Sequence, residues 1–227
     1  MRPGSVEHVT PKSFLLNQQV HDYLLAHGAS PDPVLAELTA ETMALGNVAV
    51  MQSAPEQLAL MTLLTRALGV RRAVEVGTFT GSSALAVARG LPEDGRILCL
   101  DVSEEWTSIA RRYWEAAGVS HKVELRLGPA ADSLRALPAE PTFELAFIDA
   151  DKAAYPVYYE EVLLRLRTNG VMLVDNTLQG GRVADPTDDN DVTRVIRDFN
   201  DMVVGDDRVE SVLLPVADGL TMVRKRG

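Results

Sequence analysis

Two apolar runs in the sequence end in groups that can bind a cation, Ile148-Asp149-Ala150-Asp151-Lys152 and Val174-Asp175-Asn176. The runs themselves, 145–148 and 171–174, are continuous and apolar, as buried parallel strands are. Adjacent parallel strands lie about 4.8 Å apart, so if these two are neighbours, Asp149, Asp175 and Asn176 converge on one point. Two carboxylates and an amide oxygen form a hard donor set with open positions. Such a set suits Mg²⁺, Mn²⁺ or Ca²⁺ rather than a soft metal. A single acid at a strand end is ordinarily a solvated loop residue. Two such ends, with Lys152 beside them, point to a site.

A second constellation lies upstream, in Glu75-Val76-Gly77-Thr78-Phe79-Thr80-Gly81-Ser82-Ser83. Gly77 and Gly81 allow a tight turn and a close approach to a ligand, and the helix that follows presents free N–H groups. A dinucleotide loop requires G-x-G-x-x-G; here Phe79 occupies the middle glycine position, and its ring would obstruct a pyrophosphate. S-adenosylmethionine (SAM) carries no phosphate and needs no such clearance. Glu75 offers a carboxylate to the cationic amino-acid end of that cofactor, and Asp101, ending the next strand, stands where an acid clasps ribose hydroxyls.

These groups must be positioned by alternating elements. From about Val70, the strand-like runs 73–76, 97–100, 123–127, 145–148 and 171–174 alternate with helix-like segments. One of these carries Trp106, Ile109, Ala110, Tyr113 and Ala117 at helical spacing, with Ser103 as its cap, Glu104 and Glu105 in its first turn and Gly118 as its stop. Trp106 is expected in the core, and Trp114 at a surface or beside an adenine. Further helices span 155 to about 167 and the stripe Val192, Val195, Ile196, Phe199, Val203. The closing runs 209–214 and 220–223 flank Pro215 and Asp218-Gly219 and predict an antiparallel hairpin. The expected fold is therefore α/β, a mostly parallel sheet with helices on both faces, mixed at one edge. Residues 1–70 read as three helices, broken at 28–33 and 46–55. The organisation expected is one domain over 1–227, a helical extension followed by a sheet core over 71–227.

Composition narrows the partners. With 46% hydrophobic and 24% charged residues, the 227-residue chain can build an ordinary core. A net charge of −10 disfavours nucleic acid and anionic membranes. The single cysteine, Cys99, lies in an apolar run and reads as a buried hydrophobe. There is no signal-peptide core and no run of ~20 apolar residues, so a cytoplasmic location is expected. The acidic run Asp185, Asp188, Asp189, Asp191 lacks calcium-loop spacing and reads as a solvated loop and helix cap. None of the four histidines has a partner at ligand spacing.

The stretches AVEVGTFTGSSALAVA, FIDADKAAYPVYYE and DNTLQGGRVADP closely resemble the cation-dependent O-methyltransferases of the caffeoyl-CoA and catechol type. The likeness runs from about Lys12 to the closing LPVADGLTMVRKR. It implies a seven-stranded Rossmann-like sheet, usually in a homodimer, and methyl transfer from SAM to one hydroxyl of a small aromatic diol. It also implies a divalent metal on Asp149, Asp175 and Asn176, and Lys152 as general base. For the cofactor it implies Glu75, Gly77, Thr78, Ser83 and Asp101, with Ala130 beside the adenine, Asp149 near the methionine amine, and Met51 and Ser53 from an N-terminal segment. Lys12 falls where plant members contact an acyl-CoA substrate. Two positions depart from the family pattern: Gln179 replaces a common tryptophan in the acceptor pocket, and Thr168-Asn169-Gly170 replaces a Pro-Gly-Gly turn before the fifth strand. A non-catalytic SAM-binding regulator of the same fold is the alternative, against which the joint presence of Asp149, Lys152, Asp175 and Asn176 speaks. An NAD-dependent dehydrogenase is opposed by Phe79.

Overall fold

The computed structural model describes residues 16–28 and 32–227 of the protein. Lys12, the residue expected against an acyl-CoA, lies outside them. Seven strands form one sheet: β1 (Arg72–Val76), β2 (Arg96–Asp101), β3 (Val123–Leu127), β4 (Phe143–Ile148), β5 (Leu166–Val174), β6 (Val209–Leu214) and β7 (Leu220–Lys225). Their order is β3-β2-β1-β4-β5-β7-β6. The first five pair in parallel, and β7 inserts antiparallel between β5 and β6. The expected mixed sheet and terminal hairpin are both present.

Among the described residues eight α-helices surround the sheet: α1 (Gln18–Ala26), α2 (Pro33–Met43), α3 (Pro55–Ala67), α4 (Ser82–Gly90), α5 (Glu104–Ala116), α6 (Ala130–Arg135), α7 (Tyr155–Arg165) and α8 (Asp191–Val204). Local chemistry sets their starts. Side chains of Asn17, Asp32, Ser103 and Asn190 accept hydrogen bonds from the free N–H groups of α1, α2, α5 and α8. Pro33 and Pro55 occupy first turns, where a missing N–H does no harm. The cap of the acidic loop is thus Asn190, while Asp188 accepts from Arg182 and Asp185 from Thr187.

Strand side chains alternate between two cores. Ala73, Ile97, Cys99, Leu145, Phe147 and Leu173 pack under α3, α4 and α5 with Leu58, Met61, Leu85 and Trp114. Val74, Val76, Leu98, Leu100, Ile148 and Val174 pack under α6, α7 and α8 with Leu134, Tyr155, Tyr159 and Phe199. Phe199 takes both tyrosine rings edge-on, with centroids 5.5 and 5.9 Å away. Among the described residues no helix is long and apolar enough to cross a membrane.

Two local expectations are corrected. The helix read to about residue 167 ends at Arg165, and β5 begins at once, so Thr168-Asn169-Gly170 lies inside the strand rather than in a turn before it. The β4–β5 register shifts between Phe143 and Leu145, and Asn169 has φ 66°. This is a bulge, which a chain pattern of period two cannot reveal. The two tryptophans exchange roles. Trp114 is the buried one, donating through Nε1 to the Gly81 carbonyl at 3.1 Å, while Trp106 is half-buried and lines a cavity. One residue of slip around α5 moves a side chain by about 100°, enough to carry it from core to rim.

Candidate active site

The sheet order reverses between β1 and β4, and a cavity of about 940 Å³ opens beyond the carboxyl ends of the strands there. On the β2–β3 side it is lined by Asp101, Val102, Trp106, Pro129 and Ala130. Asp149, Lys152, Asp175, Asn176, Gln179 and Asp218 line the side of β4, β5 and β7. The segment 50–54 and Gln57 complete the wall from the N-terminal helices.

The turn after β1 is fixed by the protein itself. Gly77 has φ 89°, and a Cβ on it would lie 2.0 Å from the Asp149 carbonyl oxygen. A Cβ on Gly81, at φ 87°, would lie 2.5 Å from Ala110 Cβ and 2.9 Å from Trp114 Nε1. The tight turn expected at both glycines is present, and the close contacts that also demand them are with the protein itself, the residue after β4 and α5. Asp101 Oδ2 accepts from the N–H groups of Thr78 and Phe79, both at 2.8 Å, and Oδ1 accepts from Ser103 N at 2.8 Å. Asp101 therefore ties the glycine turn to the end of β2. Phe79 (φ 51°) meets Trp106 edge-on at 5.0 Å, so the ring that blocks a pyrophosphate becomes part of an aromatic wall.

Glu75 lies fully buried on the α4 side of β1 and does not line the cavity. Neither of its carboxyl oxygens has a hydrogen-bond partner. Burial pushes its pKa up to about 8, the nearby Ser83 and Thr78 hydroxyls oppose the rise, and the charges of Asp149 and Asp101 add to it more weakly. Thr78 and Ser83 themselves line the cavity, as do Met51 and Ser53.

Asp149 and Asp175 follow a registered parallel pair, Ile148 opposite Val174, and Asp175 N donates to the Ile148 carbonyl at 3.0 Å. The two acids thus stand side by side, as the sequence argument required. Burial, followed by the charge of Asp149, pushes Asp175 up to about 7. Asp175 Oδ1 accepts from Asn176 N at 2.6 Å, and Oδ2 from Gln57 Nε2 at 2.8 Å. Asn176 has φ 57°, a conformation asparagine tolerates. Among the described residues no three His, Cys, Asp or Glu side chains form a metal cluster. Two carboxylates and one amide oxygen line this wall, a hard-oxygen set of the kind that could hold Mg²⁺, Mn²⁺ or Ca²⁺.

Lys152 Nζ is 3.0 Å from Asp149 Oδ1 and donates to the Ala150 carbonyl at 3.0 Å, 4.9 Å from the centre of the Tyr155 ring. Its pairing is with Asp149 rather than with Asp151, which instead accepts from Tyr158 Oη at 2.6 Å. Sequence reasoning missed Gln57 and misplaced Trp106. Gln57 had a signal: it stands on the buried face of α3 beside Leu58 and Met61, where an apolar side chain is expected.

Residues 26–226 match the O-methyltransferase family. The chain is 37% identical to a probable caffeoyl-CoA O-methyltransferase 2 of Dictyostelium discoideum, over 92% of each chain. Among solved structures it is similar to an O-methyltransferase from Bacillus cereus in complex with SAH, with a TM-score of 0.83, 32% identity, and 92% and 97% of the two chains covered. It is also similar to the O-methyltransferase TomG from Streptomyces achromogenes, involved in tomaymycin synthesis, in complex with SAM. There the TM-score is 0.81, the identity 30%, and the coverage 92% and 96%. With the glycine turn, the switch-point cavity and the paired strand-end acids in place, this chain belongs to the family of SAM-dependent O-methyltransferases.

Proposed function

We propose that the acceptor is a vicinal diphenol, oriented by a divalent cation on Asp149, Asp175 and Asn176 and deprotonated by Lys152. The observation that carries this reading is the single wall on which these four residues meet, with Lys152 Nζ 3.0 Å from Asp149 and Asp175 pushed up to about 7 by burial and its neighbour. A phenol has a pKa of about 10, so only about one part in a thousand is ionised near neutrality. When bound, the cation lowers the cost of ionising the diol and fixes which oxygen faces the methyl group. Lys152, as the free amine, takes the hydroxyl proton at Nζ and becomes the ammonium. The phenolate oxygen then attacks the methyl carbon in line, the C–O bond forming as the C–S bond breaks, and the sulfur keeps the electron pair.

The cofactor reading assigns the turn Gly77-Thr78 with Ser83 to the methionine part, and Asp101 to the ribose. Ala130 and the Phe79–Trp106 wall are assigned to the adenine. Glu75 supplies negative charge beneath the amino-acid end, where Asp149 also stands, and Met51 and Ser53 close the site. The relative's caffeoyl-CoA name, caffeoyl being itself a vicinal diphenol, supports that acceptor class. The test is a panel of vicinal diphenols and matched monophenols assayed with Mg²⁺ and again with excess chelator. Diphenol turnover that disappears on chelation and returns with Mg²⁺ is expected. Full turnover under chelation, or equal turnover of the monophenols, would refute the assignment.

A further inference from the structure

Gln57 belongs to α3, yet its amide reaches across to the end of β5, 118 residues away in sequence. The side chain is fully buried, and Nε2 donates to Asp175 Oδ2 at 2.8 Å. Its other end, Oε1, is buried with no hydrogen-bond partner, although Gln57 lines the cavity. An orphaned amide oxygen costs about 1–3 kcal/mol unless something donates to it, and among the described residues no protein group does so. The candidate donor set, Asp149, Asp175 and Asn176, supplies three oxygens. A chelating diol supplies two more, and Mg²⁺ and Mn²⁺ favour six-coordination with retained water. One position is left for a water molecule, whose protons need acceptors.

We propose that Gln57 is a positioning residue for the ion site: its amide N–H fixes the rotamer of Asp175, and its Oε1 accepts a hydrogen bond from water on the ion. The inference rests on the metal reading given above. It makes the N-terminal helices part of the ion site, because removing the Gln57 amide frees the Asp175 carboxylate and removes the acceptor carried by the same side chain. Partners of this kind change metal affinity by about 10–100-fold.

The test is Mn²⁺ binding to the whole chain, followed by calorimetry without substrate, for Gln57→Met, Gln57→Asn and Asp175→Asn. Methionine keeps the length and bulk but neither polar group. Asparagine keeps the amide but withdraws it by one methylene, and serves where methionine is not tolerated in the core. Both are expected to weaken Mn²⁺ binding about tenfold or more, with SAM affinity within twofold of the parent and an unchanged circular dichroism spectrum. Parent-like Mn²⁺ affinity in both Gln57 variants, with binding lost in Asp175→Asn, would overturn the role of Gln57 and leave the ion site standing. Mn²⁺ binding that survives Asp175→Asn would overturn the ion site itself.

Discussion

Glu75→Gln isolates the electrostatics of the site in one nearly isosteric change. The Glu75 carboxyl is held near 8 against an ordinary value of 4.5, chiefly by burial. The folded protein therefore keeps a proton that the unfolded chain releases. The stability linked to this group is fully present below about pH 4.5 and is lost as the pH rises through about 8. Glutamine has no proton to lose. Relative to pH 4, the variant should gain on the parent by roughly 3 kcal/mol at pH 7 and roughly 5 kcal/mol at pH 9. Urea unfolding at those three pH values, without metal or cofactor, measures the difference; a shift in midpoint of about 1 M is expected at pH 7. Asp175 also titrates with a raised pKa, but it is present in both proteins and drops out of the comparison. A stability difference independent of pH would refute the claim that Glu75 is a buried acid kept neutral by its surroundings. The same carboxyl should ionise when the cationic cofactor arrives. Calorimetry of SAM binding near pH 7 in buffers of different ionisation enthalpy should then detect proton release in the parent and none in Glu75→Gln.

Lys152→Ala should lower methyl transfer by about 10²–10⁴-fold while SAM affinity stays near that of the parent, and unchanged turnover would remove Lys152 from the reaction. Gly77→Ala places a Cβ 2.0 Å from the Asp149 carbonyl oxygen at a φ of +89°. It should destabilise the protein by roughly 2–4 kcal/mol and weaken SAM and Mn²⁺ binding together, since β1 and β4 must part. Thermal unfolding and calorimetry check this, and loss of SAM binding alone would mean that the glycine serves only the ligand.

The paired acids show how far one-dimensional reasoning reaches. Asp149 and Asp175 each end an apolar run, and apolar runs become adjacent buried strands, so their convergence was legible once β4 and β5 were taken as neighbours. Gln57 was not read, although a polar residue on an apolar stripe marked it, because periodicity says which face a residue occupies and nothing of what it meets there. The tryptophans of α5 failed for a related reason. The stripe through Trp106 leaves Trp114 out, yet Gly81 leaves room for the Trp114 indole, and that tryptophan is the buried one. The β5 bulge at Asn169 was taken for a turn because turn residues and bulge residues favour the same left-handed backbone.

By itself the sequence determined the alternation of strands and helices, their caps, and which acids stand at strand ends. Those properties follow from side-chain period and from hydrogen bonds within a few residues. Tertiary structure decided that β1 lies against both β2 and β4, that Gly77 is pressed on the Asp149 backbone, that α3 sends Gln57 to Asp175, and that Glu75 is fully buried. Each of these joins segments distant along the chain. Desolvation and contact arise only when those segments pack, so a neutral Glu75 and a supported Asp175 are properties of the assembled fold.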